Sequence, residues 1–579
     1  MKFGWSTRTA STLAAFPLAV LLAASGCTPS APEGDQRGPI QSGSRGGLFE
    51  SVAETLNRFE DFDTAQILKQ TTDRLNQWTV QEKPEIAWTP DPLLEKLAPS
   101  LRKLPDVQRL DTLRFNDPDD GWFLQEAVWL RDVSKTARAD KFADVEVAEQ
   151  LFDWTVRNIR LLPPAGPSDV RHRPFETLLL SRGTALERAW IFILLARQQG
   201  LDVVYLGIEE GEGGAVRPWL PALLSGDQLY LFDMELGLAV PGPKPGSVAT
   251  LAEVVADPGL LRKLDLDAEH SYQVTKENLK HVVAFVEGMP QSLSRRMALV
   301  ESRLVADQRL KLMSPGSALA ERVAKLPNIA RVELWPVPFE VILSASQRDE
   351  KAQNAALRET VIYQAMPSLK RGRALHFKGD YDGEDGAKAQ YLAARQSDDF
   401  IEKYTLPPDV AQQYLKQGYS AQAIARLEAA QSLMMRDAKQ AASYWIGLTF
   451  YDQKDYPNAI DYFENRTLGA KSETAWADAA RYNLARTYEA SGNMPKAIEL
   501  YEGDTTSPQS HGNRLRAKWL KEQAKPNEAT TEPEPAPAST PAEAAPAKTP
   551  ASDSSPPAEA PTDEAPKAES PKAEEPVDG

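Results

Sequence analysis

Residues 174–201 read PFETLLLSRGTALERAWIFILLARQQGL, and they decide how the middle of the chain folds. Apolar text runs from Leu186 to Gln199 at helical length, closed by Gly200, which predicts a helix over that span. Outward on the C-terminal side, Val203-Val204-Tyr205-Leu206 and Leu229-Tyr230-Leu231-Phe232 are short β-branched and aromatic runs that read as strands. Outward on the N-terminal side, Val147, Ala148, Leu151, Trp154, Thr155 and Ile159 fall on one helical face. Helices first and strands after is an α+β order, expected over residues 145–246.

The start of the chain speaks to location. Lys2 and Arg8 precede an apolar stretch from Leu13 to Ala24, the layout of a secretory signal and too short for a lasting membrane span. It ends in Ala24-Ser25-Gly26-Cys27, which resembles the bacterial lipobox, although Ala24 stands where Leu is usual. That resemblance implies a signal peptide over 1–26, lipid attachment at Cys27, a tether over 27–46, and an exported protein anchored in the bacterial cell envelope. Cys27 is the only cysteine, so the body of the chain has no disulfide, thiolate metal site or thiol nucleophile to draw on. The net charge of −16 argues against nucleic acid as a partner, because phosphate binding needs clustered Lys and Arg. A length of 579 residues with 42% hydrophobic content suffices for several folded units. Past the signal, no second apolar run reaches about 18 residues.

The quoted stretch resembles the transglutaminase-like, papain-like superfamily, in which a Gly-x-Cys opens a helix that an Arg and a Gly-Ile/Leu close before a strand. Here Gly183-Thr184-Ala185 opens it, Ala189 follows four residues later, and Arg197 with Gly200-Leu201 ends it. In that family a helix dipole stabilises the thiolate, a histidine on the next strand acts as base and an Asp orients it. The resemblance puts Ala185 in the place of the cysteine and, aligned on Trp219, Arg217 in the place of the histidine. Asp233 matches the third member. A methyl cannot attack a carbonyl and a guanidinium stays protonated, so the resemblance implies a noncatalytic domain with no cofactor and no metal. Pro218 and Pro221 are expected to interrupt the strand between them. Arg217 and Asp233 are read either as a structural ion pair or, for Arg217, as the partner of a ligand carboxylate. The rival reading is an envelope acyl-transfer or peptidase enzyme with an atypical nucleophile, for which Thr184 is the nearest hydroxyl; His172 reads as a loop residue.

Aligning 404–510 on itself gives three copies of one pattern. Ala411, Tyr414, Ala423 and Leu427 are followed by Gly447, Phe450, Ala459 and Phe463, then by Ala485, Tyr488, Ala497 and Tyr501. Positions 411 to 447 are 36 residues apart and 447 to 485 are 38. The pattern resembles the tetratricopeptide repeat, a helix-turn-helix unit in which small residues let paired helices approach closely. It implies a repeat array over 404–523 that binds a protein or peptide, or else a helical domain that packs on its own chain.

The rest divides by composition. Residues 47–144 read as helices joined by an extended strap, with Leu48, Val52, Leu56 and Phe59 in phase and Pro84, Pro90 and Pro92 as breaks. Residues 247–403 are mixed α/β text of unassigned fold, with a β-like island at Val332-Glu333-Leu334-Trp335 and Phe339-Glu340-Val341-Ile342-Leu343. From 524 to 579 the chain is Pro, Ala and Glu rich, almost without large apolar residues, and is expected to be disordered. Asp380, Asp382 and Asp385 lack the ligand series of a calcium loop. Lys370-Arg371-Gly372-Arg373 reads as a surface run balancing them. The expected whole is a multi-domain, α-rich chain.

Overall fold

The computed structural model describes residues 47–524 apart from 62–63, 165, 167–170, 212 and 471–473. Residues 1–46, with the expected signal, Cys27 and the expected tether, and residues 525–579 lie outside the described residues. The chain enters through α1 (Leu48–Leu56) and α2 (Thr64–Glu82). Beyond Pro84 it runs without regular structure to Asp91. This is the expected strap, pinned by Trp88 Nε1 donating to the Leu293 carbonyl at 3.2 Å. Then come α3 (Asp119–Ala137), α4 (Asp144–Asn158), α5 (Pro174–Leu180) and α6 (Ala185–Gln198).

Helix α6 organises the centre because its sequence leaves it no polar face. Every residue from Glu187 to Ala196 is buried, as expected of a helix that is apolar nearly all round. Both of its ends are written locally. Thr184 caps the start, and Gly200, at φ +75°, ends it. The N–H of Leu201 returns to the Ala196 carbonyl (3.0 Å) and that of Gly200 to Arg197 (2.9 Å), the Schellman arrangement.

The strands follow as β1 (Asp202–Glu209), β2 (Val216–Ser225), β3 (Gln228–Asp233) and β4 (Leu238–Ala239). Two more come from the segment whose fold the sequence leaves unassigned: β5 (Val282–Val286) and β6 (Ile329–Leu334). The sheet order is β4-β3-β2-β1-β5-β6, antiparallel except for the β5–β6 pair. It therefore extends past residue 246 and runs from 202 to 334.

Successive side chains alternate between two cores. Val203, Tyr205, Leu223, Phe232 and Phe285 join α6 in one. Val204, Leu206, Ile208, Leu231 and Val286 join the leucines of 93–110 and 251–264 in the other.

Two expectations are corrected here. Pro218 and Pro221 do not interrupt β2, which spans ten residues. β3 pairs with it only from Ala222 to Ser225, so the proline half is open on that side, and the register shifts between Leu206 and Gly207. An open edge with a bulge is where a sheet tolerates missing donors. The β-like island is strand only in its first part. Phe339 to Leu343 lie in α7 (Val337–Ser346), because Pro336 and Pro338 preset φ for a helix start.

Next come α8 (Glu350–Ala365) and α9 (Pro367–Lys378). Arg373 of α9 is not a surface residue. It is fully buried, stacks over the rings of Phe377 and Trp445 at 4.5 and 4.8 Å, and donates to the Leu178 carbonyl at 2.9 Å. Of the run, Arg371 does reach the acids, at 3.9 Å from Asp385, while Asp382 pairs with Lys388.

The repeat region forms α10 (Pro408–Lys416), α11 (Ala421–Asp452), α12 (Tyr456–Asp461) continued by a π-helical turn (Tyr462–Leu468), α13 (Ala477–Ala490), α14 (Met494–Glu502) and α15 (Ser510–Ala524). The first and second copies meet inside one 32-residue helix with no turn between them. Gly447 does permit close approach: a Cβ there would lie 2.7 Å from the Phe463 ring. Ala459, Phe463, Ala485, Ala497 and Tyr501 are buried, while Phe450 and Tyr488 are half-buried.

From the second half of α11 onward these helices share one hydrophobic core with α3 to α6, while α10 and the start of α11 pack in a small cluster of their own. The described residues belong to a single compact unit.

Candidate functional site

The site to test is the start of α6, where the resemblance places Ala185. Thr184 there caps the helix. Its hydroxyl accepts the Glu187 N–H (3.3 Å) and donates to Glu187 Oε2 (3.1 Å), which also accepts the Thr184 N–H (2.7 Å). This reciprocal capping box satisfies two orphan donors of the helix start. Ala185, half-buried, presents only its methyl.

Neither partner position faces that methyl. Arg217 stands opposite Ile208 in the β1–β2 ladder, and directly paired residues share a face. Ile208 belongs to the core on the far side of the sheet from α6. Asp233 points the same way. Its Oδ1 accepts the N–H groups of Glu235 (2.9 Å) and Leu236 (2.8 Å), and its Oδ2 accepts the Tyr272 hydroxyl at 2.6 Å. That hydroxyl in turn accepts Trp219 Nε1–H at 2.9 Å.

The expected Arg217–Asp233 ion pair is therefore absent: the carboxylate is held by a tyrosine and two peptide groups. Burial raises the Asp233 pKa against the opposing pull of those three hydrogen bonds. Burial, then the charge of Asp233, drives the Tyr272 phenol well above its ordinary value. The side chains that this strand end turns toward α6 are Phe232 and Met234, both buried and apolar.

What does gather at the start of α6 is a polar cluster around His172, which lies, as the sequence suggests, in the loop before α5. His172 is buried. Its peptide N–H donates to Glu187 Oε1 (2.7 Å), its Nε2 meets Glu359 Oε2 at 2.7 Å, and its Nδ1 lies 3.7 Å from Glu187 Oε1 without a hydrogen bond. Arg182 also reaches Glu359, at 3.2 Å. Burial lowers the imidazole pKa, but the Glu359 hydrogen bond and the charges of Glu187, Glu359 and Glu176 outweigh it, leaving the group above its ordinary value. The cluster ties α5, α6 and α8 together. The imidazole is engaged at Nε2 by Glu359, and its buried Nδ1 has no hydrogen-bond partner.

One turn further along α6, Arg188 joins the helix to the repeats. It is almost fully buried and donates to the carbonyls of Ile159 (2.7 Å), Val156 (3.2 Å) and Met234 (3.2 Å) and to Gln509 Oε1 (2.7 Å). Trp445 Nε1 donates to Ser181 Oγ at 3.1 Å, and the Tyr444 hydroxyl and Asn483 Nδ2 both donate to the Arg157 carbonyl.

The Thr-x-x-Glu of the cap was readable locally. Tyr272 and Glu359 were not, since they lie 39 and 187 residues from their partners. Among the described residues no group of three or more His, Cys, Asp or Glu is placed to hold a metal, and no helix is long and apolar enough to cross a membrane.

No family model matches this chain, and no curated protein or solved structure matches it either.

Proposed function

We propose that this protein is an envelope lipoprotein, anchored through Cys27, that acts as a noncatalytic scaffold for a protein or peptide partner, with a transglutaminase-like core that has lost its chemistry and tetratricopeptide-like helices built onto it. The observation that carries the reading is the start of α6: a methyl at Ala185, a capped hydroxyl at Thr184, and Asp233 turned to the opposite face of the sheet and bound to Tyr272. Nucleophilic catalysis needs a nucleophile within hydrogen-bond reach of a base, and these groups supply no such pair.

The partner surface falls on the first repeat copy. The second and third copies spend their inner faces on the core, whereas α10 and the first half of α11 pack around a small cluster of Leu406, Tyr414 and Ile424. They leave Leu415 and Leu433 exposed.

Two measurements test this. Purified protein should incorporate no amine or hydroxylamine into acyl donors; incorporation above background that is lost in Thr184→Ala would overturn the noncatalytic reading. Pull-down from envelope extract should return a partner that is lost in the Leu415→Glu/Leu433→Glu variant. Retention by that variant would remove the partner surface from this copy. Deleting 404–510 is no substitute, because those helices share the core.

A further inference from the structure

A cavity of about 20 Å³ lies in the seam between α4, α6 and the repeat helices. A space of roughly 10–15 Å³ on this measure holds one water-sized particle, so the cavity takes one or two.

Its walls include three guanidinium groups, those of Arg157, Arg160 and Arg188, against one carboxylate, Asp478. Arg157 is neutralised by Asp153 at 2.7 Å and Asp452 at 3.0 Å. Asp478 is well exposed and pairs with Arg481 at 3.2 Å. Arg188 has no carboxylate partner, and Arg160 has only the charge of the exposed Asp478 opposing its burial. All four hydrogen bonds of Arg188 go to neutral oxygens. Arg160 donates one bond, to the Ala475 carbonyl at 2.7 Å, and its buried Nε–H has no acceptor. Burial pulls the pKa of Arg188 down to about 10 and lowers that of Arg160, whose neighbour Arg182 adds to the effect. Arg188 stays charged at neutral pH.

One fully buried cation, Arg188, and one half-buried, Arg160, on the walls of one small space make it electropositive, and a buried charge without a partner of opposite sign is costly. An anion placed there would relieve both at once. The narrow inner space favours an ion the size of one or two waters over sulfate, phosphate or an organic carboxylate.

We propose that this cavity binds a small monovalent inorganic anion, chloride in size, between Arg160 and Arg188, and that the anion fastens the repeat helices to the α4–α6 core. The site stands apart from the proposed partner surface on α10 and α11 and does not depend on it.

Thermal unfolding of the full chain at constant ionic strength tests the proposal, with sodium chloride or bromide exchanged for sodium gluconate and, separately, for sulfate. Chloride and bromide should raise Tm saturably, by roughly 3 °C when the ion is about a hundredfold above its Kd. Gluconate and sulfate should not. The ³⁵Cl NMR line of chloride should broaden with wild-type protein and narrow again on adding bromide. Arg160→Gln, at the more exposed wall, should abolish both effects while leaving the fold intact; Arg188→Gln should do so if it folds. Equal Tm in chloride and gluconate with no ³⁵Cl broadening would mean that the cavity holds only water and would overturn the proposal. So would a chloride response that persists in Arg160→Gln.

Discussion

Replacing Gly512 by alanine gives opposite signs according to whether α15 is docked on the core. In a free helix the change stabilises, because glycine in a helix interior costs about 1 kcal/mol relative to alanine. In this structure a Cβ on Gly512 would sit 1.8 Å from the Leu236 carbonyl oxygen, 2.6 Å from its carbon and 2.9 Å from its Cα. These are backbone atoms of the turn after β3, so no rotamer change relieves the clash. Real Cβ contacts stay beyond 3.0 Å, and α15 would have to retreat by more than 1 Å. Overpacking of this kind costs about 1–3 kcal/mol. Retreat also stretches the 2.7 Å bond from Arg188 to Gln509, and a hydrogen bond to a charged group is worth about 1.5–3 kcal/mol. Set against the helix gain, the expected net loss is about 3 kcal/mol. Thermal unfolding of Gly512→Ala measures it, and hydrogen exchange should show lost protection along 510–524 and around Leu236. Unchanged stability, or a gain near 1 kcal/mol, would refute the docking of the repeat helices on the core.

Glu126 is buried, accepts the Phe175 N–H at 3.0 Å, and is pushed up to about 8, chiefly by burial. The unfolded chain loses that proton near 4.5 and the folded chain keeps it, so stability falls as pH rises between those values. Glu126→Gln should remove the fall, gaining up to about 5 kcal/mol at pH 8 and little at pH 4; equal gains at both would refute the burial argument. The raised imidazole pKa of His172 contributes stability that is full below the ordinary histidine value and lost as pH climbs through the folded one. His172→Gln should therefore destabilise less at pH 9 than at pH 6, and an NMR titration should place this histidine above the usual value. Tyr272→Phe strips Asp233 Oδ2 and Trp219 Nε1 of their shared partner, with an expected loss of about 1–3 kcal/mol; a neutral result would mean that water replaces the hydroxyl.

What was legible in the sequence is what short-range chemistry writes. Thr184, Glu187 and Gly200 fix both ends of α6 within three residues of the helix they bound, and Val203–Leu206 and Leu229–Phe232 became strands where their side chains indicated. The face of the sheet was not legible. Phe232 and Asp233 are adjacent, and a period of two sends one toward α6 and the other away, so matching an aromatic-Asp pair could not say which of them meets Ala185. β5 was hidden because its pairing with β1 is long-range, and β6, part of which showed as the β-like island, pairs only with β5. The continuous α11 did leave a signal: 421–446 contains neither Gly nor Pro, so nothing in the text ends a helix where the repeat alignment wanted a turn.

The unbroken helix also changes what the repeat pattern can mean. In an array that binds partners, the inner residues stay open and each pair of helices contacts only its neighbours. Here Tyr444, Trp445 and Asn483 of the inner surface are buried against α4 and the α5–α6 turn through Arg157 and Ser181. The same small and large anchors that space the helices thus serve to fit them onto the core. Arg188 makes the dependence mutual, since its guanidinium needs Gln509 from the repeats as much as the carbonyls around α6. An enzyme whose cleft had to admit a substrate beside residue 185 would gain little from a helical clasp locked there by buried hydrogen bonds. On the proposed scaffold reading the same clasp supplies rigidity, and a partner would meet the exposed Leu415 and Leu433 of the first copy.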